Sequence, residues 1–187
     1  MRKIIVLIGF ITFFPMPAEA VLEEIEHTKT EKPTIGWVER IKIYPGGMEL
    51  KAKIDTGAKS SSINAPNAVT FERDGERWVS FELSDPKKKK KIVKIERKVH
   101  RTTLVKRKGD ESHERLVIRL FVCLGNDSHE IDVNLADRRG FNYQVLIGRN
   151  DIAKLFKVNV DPSEKFMREP RCPPPHPPNP DEAGTEE

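Results

Sequence analysis

Asp55 is the residue of this sequence best placed to do chemistry. It closes an alternating stretch, Met48–Ile54, and is followed at once by Thr56-Gly57-Ala58. A strand that delivers a carboxylate to a tight Thr-Gly turn has a mechanical sense. Gly57 lets backbone pass close, and its amide can hydrogen-bond the carboxylate. Thr56 offers a hydroxyl that can pin the loop against a partner loop. Two such carboxylates side by side cannot both ionise easily, so they share one proton. One then acts as base on a water while the other acts as acid on a scissile carbonyl. Ordinary turns also produce Asp-Thr-Gly, so this reading needs a second signal.

Other chemistries lack their residues. His27, His100, His113, His129 and His176 are isolated from one another. There is no H-E-x-x-H and no paired Cys/His spacing, so no metal is expected. No Gly-rich Lys-Ser/Thr loop is present for nucleotide phosphates, and no cofactor is expected. No Gly-x-Ser-x-Gly elbow frames Ser60–Ser62, which read as a polar turn after the Asp55 loop.

The second signal is Val145-Leu146-Ile147-Gly148-Arg149-Asn150, in which Gly148 stands 93 residues after Asp55. This apolar run leads into Asn150–Phe156, the one segment with helical spacing (Ile152, Leu155, Phe156). With both signals the sequence resembles the retropepsin-like aspartic proteases. There, apolar-apolar-Asp-Thr-Gly-Ala occurs early and apolar-Ile-Gly-Arg-Asn or -Asp late, before a helix. More narrowly, Ile35-Gly36-Trp37, Lys51–Ala65 and Phe71–Val79 look like a bacterial family of small retropepsin-like peptidases, often labelled "ATP-dependent zinc protease". The resemblance covers Thr34–Pro162.

The resemblance implies a role for each matching residue. Asp55 is the catalytic carboxylate. Thr56 locks two active-site loops together, Gly57 binds substrate backbone or holds the carboxylate, and Ala58 lines the site. Gly148 packs beneath Asp55, and Arg149 ties the helix to the active-site loop. The basic segment after Phe81 falls where such proteases have a flap. Retroviral proteases have an acidic residue where this chain has Lys59. That removes the usual ion pair to Arg149 and makes the site more positive. Lys59 is therefore expected to bind substrate, and the substrate to be acidic, for instance a glutamate-rich peptide. Nothing in the residues supports the zinc and ATP of the label.

The elements that must position these residues read as strands. Tyr44-Pro45-Gly46-Gly47 is a turn, and Met48–Ile54 alternates with period two. Phe71–Phe81 is a hairpin with Asp74-Gly75 at its turn, where positive φ is needed. Leu116–Leu124 is a longer strand ending in the turn Gly125-Asn126-Asp127. His129–Leu135 alternates again, and Tyr143–Ile147 is a buried run. The expected fold is mostly β, a closed barrel-like retropepsin fold with one short C-terminal helix. Lys87–Lys108 is strongly basic but holds Ile92, Val93, Ile95, Val99 and Leu104, so part of it reads as an exposed strand or hairpin. Nucleic acid is disfavoured as its partner, because base-stacking aromatics are missing there and make up only 7% of the chain.

The flanks read differently from the middle. Residues 1–20 have a positive start (Arg2, Lys3), an uncharged stretch Ile4–Phe14 and Ala18-Glu19-Ala20, which together predict a signal peptide cleaved after Ala20. The protein is then periplasmic or secreted, with no membrane span after cleavage. Residues 21–33 read as a linker, 34–167 as the retropepsin-like domain and 168–187 as a disordered tail holding 7 of the 14 prolines. Export puts Cys123 and Cys172 in an oxidising compartment. A bond between them would tie the tail to the domain; two separate thiols, one buried in a strand, is the other reading. Of 187 residues with a net charge of +4, about 147 lie between signal and tail. That is room for one lobe and one Asp55. A dyad then needs a homodimer acting on a peptide or protein substrate. The alternative is a non-catalytic retropepsin-like peptide-binding module of the cell envelope.

Overall fold

The alternation of Met48–Ile54 becomes a strand with Met48, Leu50, Ala52 and Ile54 buried and the residues between them turned outward. The computed structural model describes residues 31–84, 91–105 and 112–175. Eleven strands occur among them: β1 (Thr34–Gly36), β2 (Val38–Tyr44), β3 (Met48–Asp55), β4 (Ser61–Asn64), β5 (Val69–Arg73), β6 (Glu76–Ser84), β7 (Ile92–Val105), β8 (His113–Leu124), β9 (Asp127–Ala136), β10 (Val145–Gly148) and β11 (Asn159–Asp161). One short helix, α1 (Arg149–Asp151), follows β10 and continues as a π-helical turn, Ile152–Phe156. The chain divides into Met1–Glu31 and Lys32–Glu187, and the description concerns the second unit. The expected signal peptide, most of the linker, Lys87–Lys90, Lys106–Lys108 and the tail from His176 lie outside the described residues.

Six strands close a barrel in the order β2-β3-β10-β4-β9-β8, and β8 pairs back onto β2 through Ile41↔Leu124 to Tyr44↔Phe121. The mostly β, barrel-like fold is therefore the one the sequence predicts. Ile41, Ile43, Met48, Ile63, Ile118, Leu120, Ile131 and Ile147 fill the interior at 0–1% exposure. Each such side chain contributes about 1.5–3 kcal/mol when removed from water. Two turns follow their sequence signals: Asp74 (φ 53°) and Gly75 (φ 75°) join β5 to β6, and Gly125 (φ 63°) opens the turn between β8 and β9.

Strands β7, β6 and β5 extend the sheet beyond β8. The basic segment thus supplies β7, paired on one side with β6 and on the other with β8. Val79, Phe81, Leu83 and Ile95 belong to the same apolar core as the barrel, which draws the β6–β7 ribbon onto it. Ser84 O accepts a hydrogen bond from Gln144 Nε2 at 2.7 Å, and Val93 packs on Gly46. Those contacts set the Ser84 and Ile92 ends of the ribbon beside the starts of β10 and β3. Asp55 is at the other end of β3, roughly 23 Å along the strand at about 3.3 Å per residue. Residues 85–90, part of the segment expected to form a flap, lie outside the described residues.

Two expectations change. Ser61 and Ser62 are not a turn: they open β4 and are buried, because their hydroxyls find partners inside the fold. The stretch Arg168–Cys172, read from sequence as the start of a loose tail, is tied to the barrel. Glu39 is buried at 1% exposure and accepts from the Gly36 amide at 2.7 Å and the Arg168 amide at 3.0 Å. Arg171 N donates to Gly125 O at 2.7 Å, and Cys172 forms a disulfide with Cys123. At Gly36 a Cβ would meet Glu164 O at 2.5 Å, so only glycine admits the chain that leads into this strap. Before the strap, β11 pairs in parallel with β1.

Candidate active site

Asp55 is the last residue of β3, and its neighbour Gly148 is the last residue of β10, with the two in register across the parallel pair. The chain then turns through Thr56 and Gly57, both exposed. Asp55 Oδ1 accepts from the Gly57 amide at 3.0 Å and the Ala58 amide at 3.2 Å. Asp55 Oδ2 accepts from Lys53 Nζ at 2.9 Å. Partial burial by itself would push the carboxyl up. Lys53, helped by the two amides, outweighs it and holds Asp55 below the ordinary aspartate value. Among the described residues no second carboxylate is bonded to Asp55. No group of three His, Cys, Asp or Glu is placed there to hold a metal ion.

The support beneath the loop comes from β4, β10 and the helix. A Cβ on Gly148 would meet the Ser60 carbonyl carbon at 2.5 Å, so the strand reaches the loop only because residue 148 is glycine. Arg149 N donates to Ala58 O at 2.8 Å, and Arg149 Nη1 donates to Gly57 O at 3.2 Å. Arg149 therefore ties the helix to the loop through carbonyls, with no acidic residue at position 59 to meet it. Lys59 is exposed, and its own carbonyl accepts from Asn150 N at 3.3 Å.

A buried polar strut lies behind these contacts. Ser61 Oγ accepts from the Gly148 amide at 3.0 Å and donates to Asp151 Oδ2 at 2.5 Å. Burial pushes the Asp151 carboxyl above its ordinary value, and repulsion from Asp132 adds to this, against the Ser61 hydrogen bond. Asn134 Nδ2 donates to Ser61 O at 2.5 Å and to Ser60 Oγ at 3.3 Å, joining β9 to the exit of the loop. Arg138 Nη1 donates to Ser62 Oγ at 3.1 Å, and Arg138 Nε to Tyr143 O at 3.2 Å.

The chain matches the RimB-like family, described as the retropepsin-like aspartic endopeptidase RimB, over residues 34–171. It belongs to that family. The matched span ends inside the strap, so the family extends past Met167 to the region of the disulfide. The chain is also similar to probable alpha-L-glutamate ligases. That of Shewanella pealeana is 40% identical over 118 residues, 63% of this chain and 25% of that protein. That of Desulfotalea psychrophila is 36% identical over 115 residues, 61% of this chain and 24% of that protein. The chain thus spans about a quarter of the length of these relatives. A crystal structure of a Legionella pneumophila protein of unknown function superposes with a TM-score of 0.62 at 30% identity, covering 72% of this chain and 96% of that one.

Of the residues singled out in the sequence, Asp55, Thr56, Gly57, Ala58, Gly148 and Arg149 come together, and Lys59 stands exposed at the loop's exit. Sequence reasoning passed over Lys53, Ser61, Arg138 and Asp151. Lys53 was legible, since period two puts residues 53 and 55 on one face. Ser61 meets Asp151 across 90 residues of chain and Arg138 meets Ser62 across 76, so these three leave no local signal.

Proposed function

We propose that this protein is an exported aspartic endopeptidase whose catalytic pair is Asp55 from each of two chains, and that it cleaves acidic peptides. The observation that carries the reading is the Asp55 loop. Its carboxylate is clamped by two amides over a glycine strut, and its exposed Thr56 and Gly57 are free to meet a second copy. In such a pair one carboxyl is protonated and the other ionised. The ionised one takes a proton from water, the water oxygen bonds to the scissile carbonyl carbon, and the protonated one gives its proton to the carbonyl oxygen. The resulting diol collapses as the amide nitrogen is protonated and the C–N bond breaks.

Lys59, Arg138 and Lys53 around the loop support an acidic substrate, as does the glutamate in the names of the relatives. The signal-like residues 1–20 and the Cys123–Cys172 disulfide support an oxidising compartment outside the cytoplasm. No helix among the described residues is long and apolar enough to cross a membrane.

A second reading, a non-catalytic peptide-binding module, is favoured by one observation: in the single chain Lys53 already neutralises Asp55. The two are separated by incubating native protein and Asp55→Asn with a mixed peptide library at acidic and neutral pH. Cleavage by the native chain that vanishes in Asp55→Asn is expected. Cleavage that persists in Asp55→Asn removes the assignment of Asp55, and no cleavage by either leaves the binding module.

A further inference from the structure

Arg138 carries a charge that the fold buries without giving it a carboxylate. It lies two residues beyond β9 and is 8% exposed. Its Nε and Nη1 donate to Tyr143 O and Ser62 Oγ, its own amide donates to Asn64 Oδ1 at 2.7 Å, and its guanidinium lies 4.7 Å from the Phe141 ring centroid. Every one of these partners is neutral. The next residue shows the contrast: Arg139 is exposed and forms a fork with both oxygens of Asp137. Among the described residues no acid pairs with Arg138. Its anchor Ser62 pairs with Leu146 of β10, which is in register with Lys53 of β3, two residues before Asp55. Burial pushes the guanidinium down, Arg115 adds repulsion, and Asp55 is the acid that opposes both. A buried charge without a partner costs several kcal/mol, so this arrangement makes sense where a ligand supplies the missing anion.

We propose that Arg138 is a specificity-determining residue of the Asp55 site, its guanidinium binding the side-chain carboxylate of an acidic residue close to the scissile bond. This rests on the reading of Asp55 as the catalytic carboxylate. A planar guanidinium matches a carboxylate in two-pronged fashion, which an ammonium cannot do. Because most of the side chain is buried, a substrate with a neutral side chain leaves the charge without a counter-ion, and that rejection is larger than an exposed lysine gives. Lys59, exposed to solvent, acts on encounter rate and is screened by salt. Phe141 is 59% exposed beside the guanidinium and offers apolar surface to the methylenes of a glutamate.

The test uses the full chain and two peptides, one glutamate-rich and one with every glutamate replaced by glutamine. The native protein is expected to favour the glutamate peptide in kcat/KM. Arg138→Gln is expected to lower kcat/KM on that peptide about 30-fold, the scale of one charge-assisted hydrogen bond, and to move the glutamine peptide less than about 3-fold. Arg138→Lys, which keeps the charge and loses the fork, should fall between. Equal losses on both peptides would mean that Arg138 only holds the loop, and unchanged discrimination in Arg138→Gln would overturn the proposal as well. Where Arg138→Gln does not fold, Arg138→Lys decides by the same criterion. Calorimetric binding in an Asp55→Asn background separates this proposal from the catalytic reading. A glutamate preference that depends on Arg138 upholds the proposal even without cleavage. Binding no tighter to the glutamate peptide than to the glutamine peptide overturns it.

Discussion

Lys53 Nζ stands 2.9 Å from Asp55 Oδ2, two residues back on the outward face of β3. Both side chains are partly exposed, so the pair adds little to stability, about 0–1 kcal/mol. Its effect is on ionisation: burial raises the Asp55 carboxyl, and Lys53, helped by the Ala58 and Gly57 amides, more than reverses this. Lys53→Met should therefore raise the Asp55 pKa and move the acid limb of the kcat/KM profile to higher pH, with the alkaline limb less affected. A pH profile with an unmoved acid limb would show that the pair is not formed in the active protein.

Gly148→Ala should damage both fold and activity. The added methyl would sit 2.5 Å from the Ser60 carbonyl carbon, which is backbone and cannot swing aside. Overpacking of this kind costs about 1–3 kcal/mol or more. Urea unfolding should show a lower midpoint with an unchanged slope, and cleavage should fall beyond what the unfolded fraction explains.

Asp151 makes stability depend on pH in a defined direction. Its folded carboxyl is raised by burial, so the folded state holds a proton that the unfolded chain has released. The associated stability is present below the unfolded pKa, about 3.9, and is lost as pH rises through the folded value. Asp151→Asn keeps an acceptor for Ser61 and removes the titration. Its unfolding free energy relative to native protein should rise as pH goes from 3 to 7. A difference that stays flat over that window would contradict the assignment.

The Cys123–Cys172 bond spans 49 residues of sequence and holds the strap against the turn at Gly125. A loop of that size corresponds to about 4 kcal/mol of chain entropy in the unfolded state. Reduction, or Cys123→Ser with Cys172→Ser, should lower the urea midpoint, and hydrogen exchange should quicken first at the Arg168 and Arg171 amides. An unchanged midpoint would mean that Glu39 and the β1–β11 pairing hold the strap unaided.

The framework was legible in the sequence because barrel strands such as β2 and β3 have one wet and one dry face, and period two exposes that. Met48–Asp55 followed this rule, the Asp74-Gly75 hairpin was legible from its turn, and Val145–Gly148, buried at every position, from its unbroken apolar run. The Asp55 loop was legible because its chemistry is local: carboxylate, Gly57 and Ala58 lie within four residues. The serines were misread because hydrophilic residues after a turn look solvated until β9 and β10 enclose them. The strap was misread because prolines conceal docking, and what holds it, Glu39 and Cys123, lies far back in the chain. Arg138 was invisible for a related reason. Nothing in Ala136–Phe141 says that a guanidinium will be buried; Ser62, on β4, and Tyr143, later in the same loop, decide it.

The central claim is that each chain supplies one half of the catalytic pair, and mixing tests it most directly. Native chain and Asp55→Asn chain are unfolded together in equal amounts, refolded so that dimers form at random, and assayed on the glutamate-rich peptide. If both Asp55 side chains are needed, only native–native pairs cleave. Activity should then fall to about one quarter of that of the same total native protein, the fraction of such pairs in a two-fold assembly. A value of one half would mean that each chain works alone with its single Asp55, and would contradict the account.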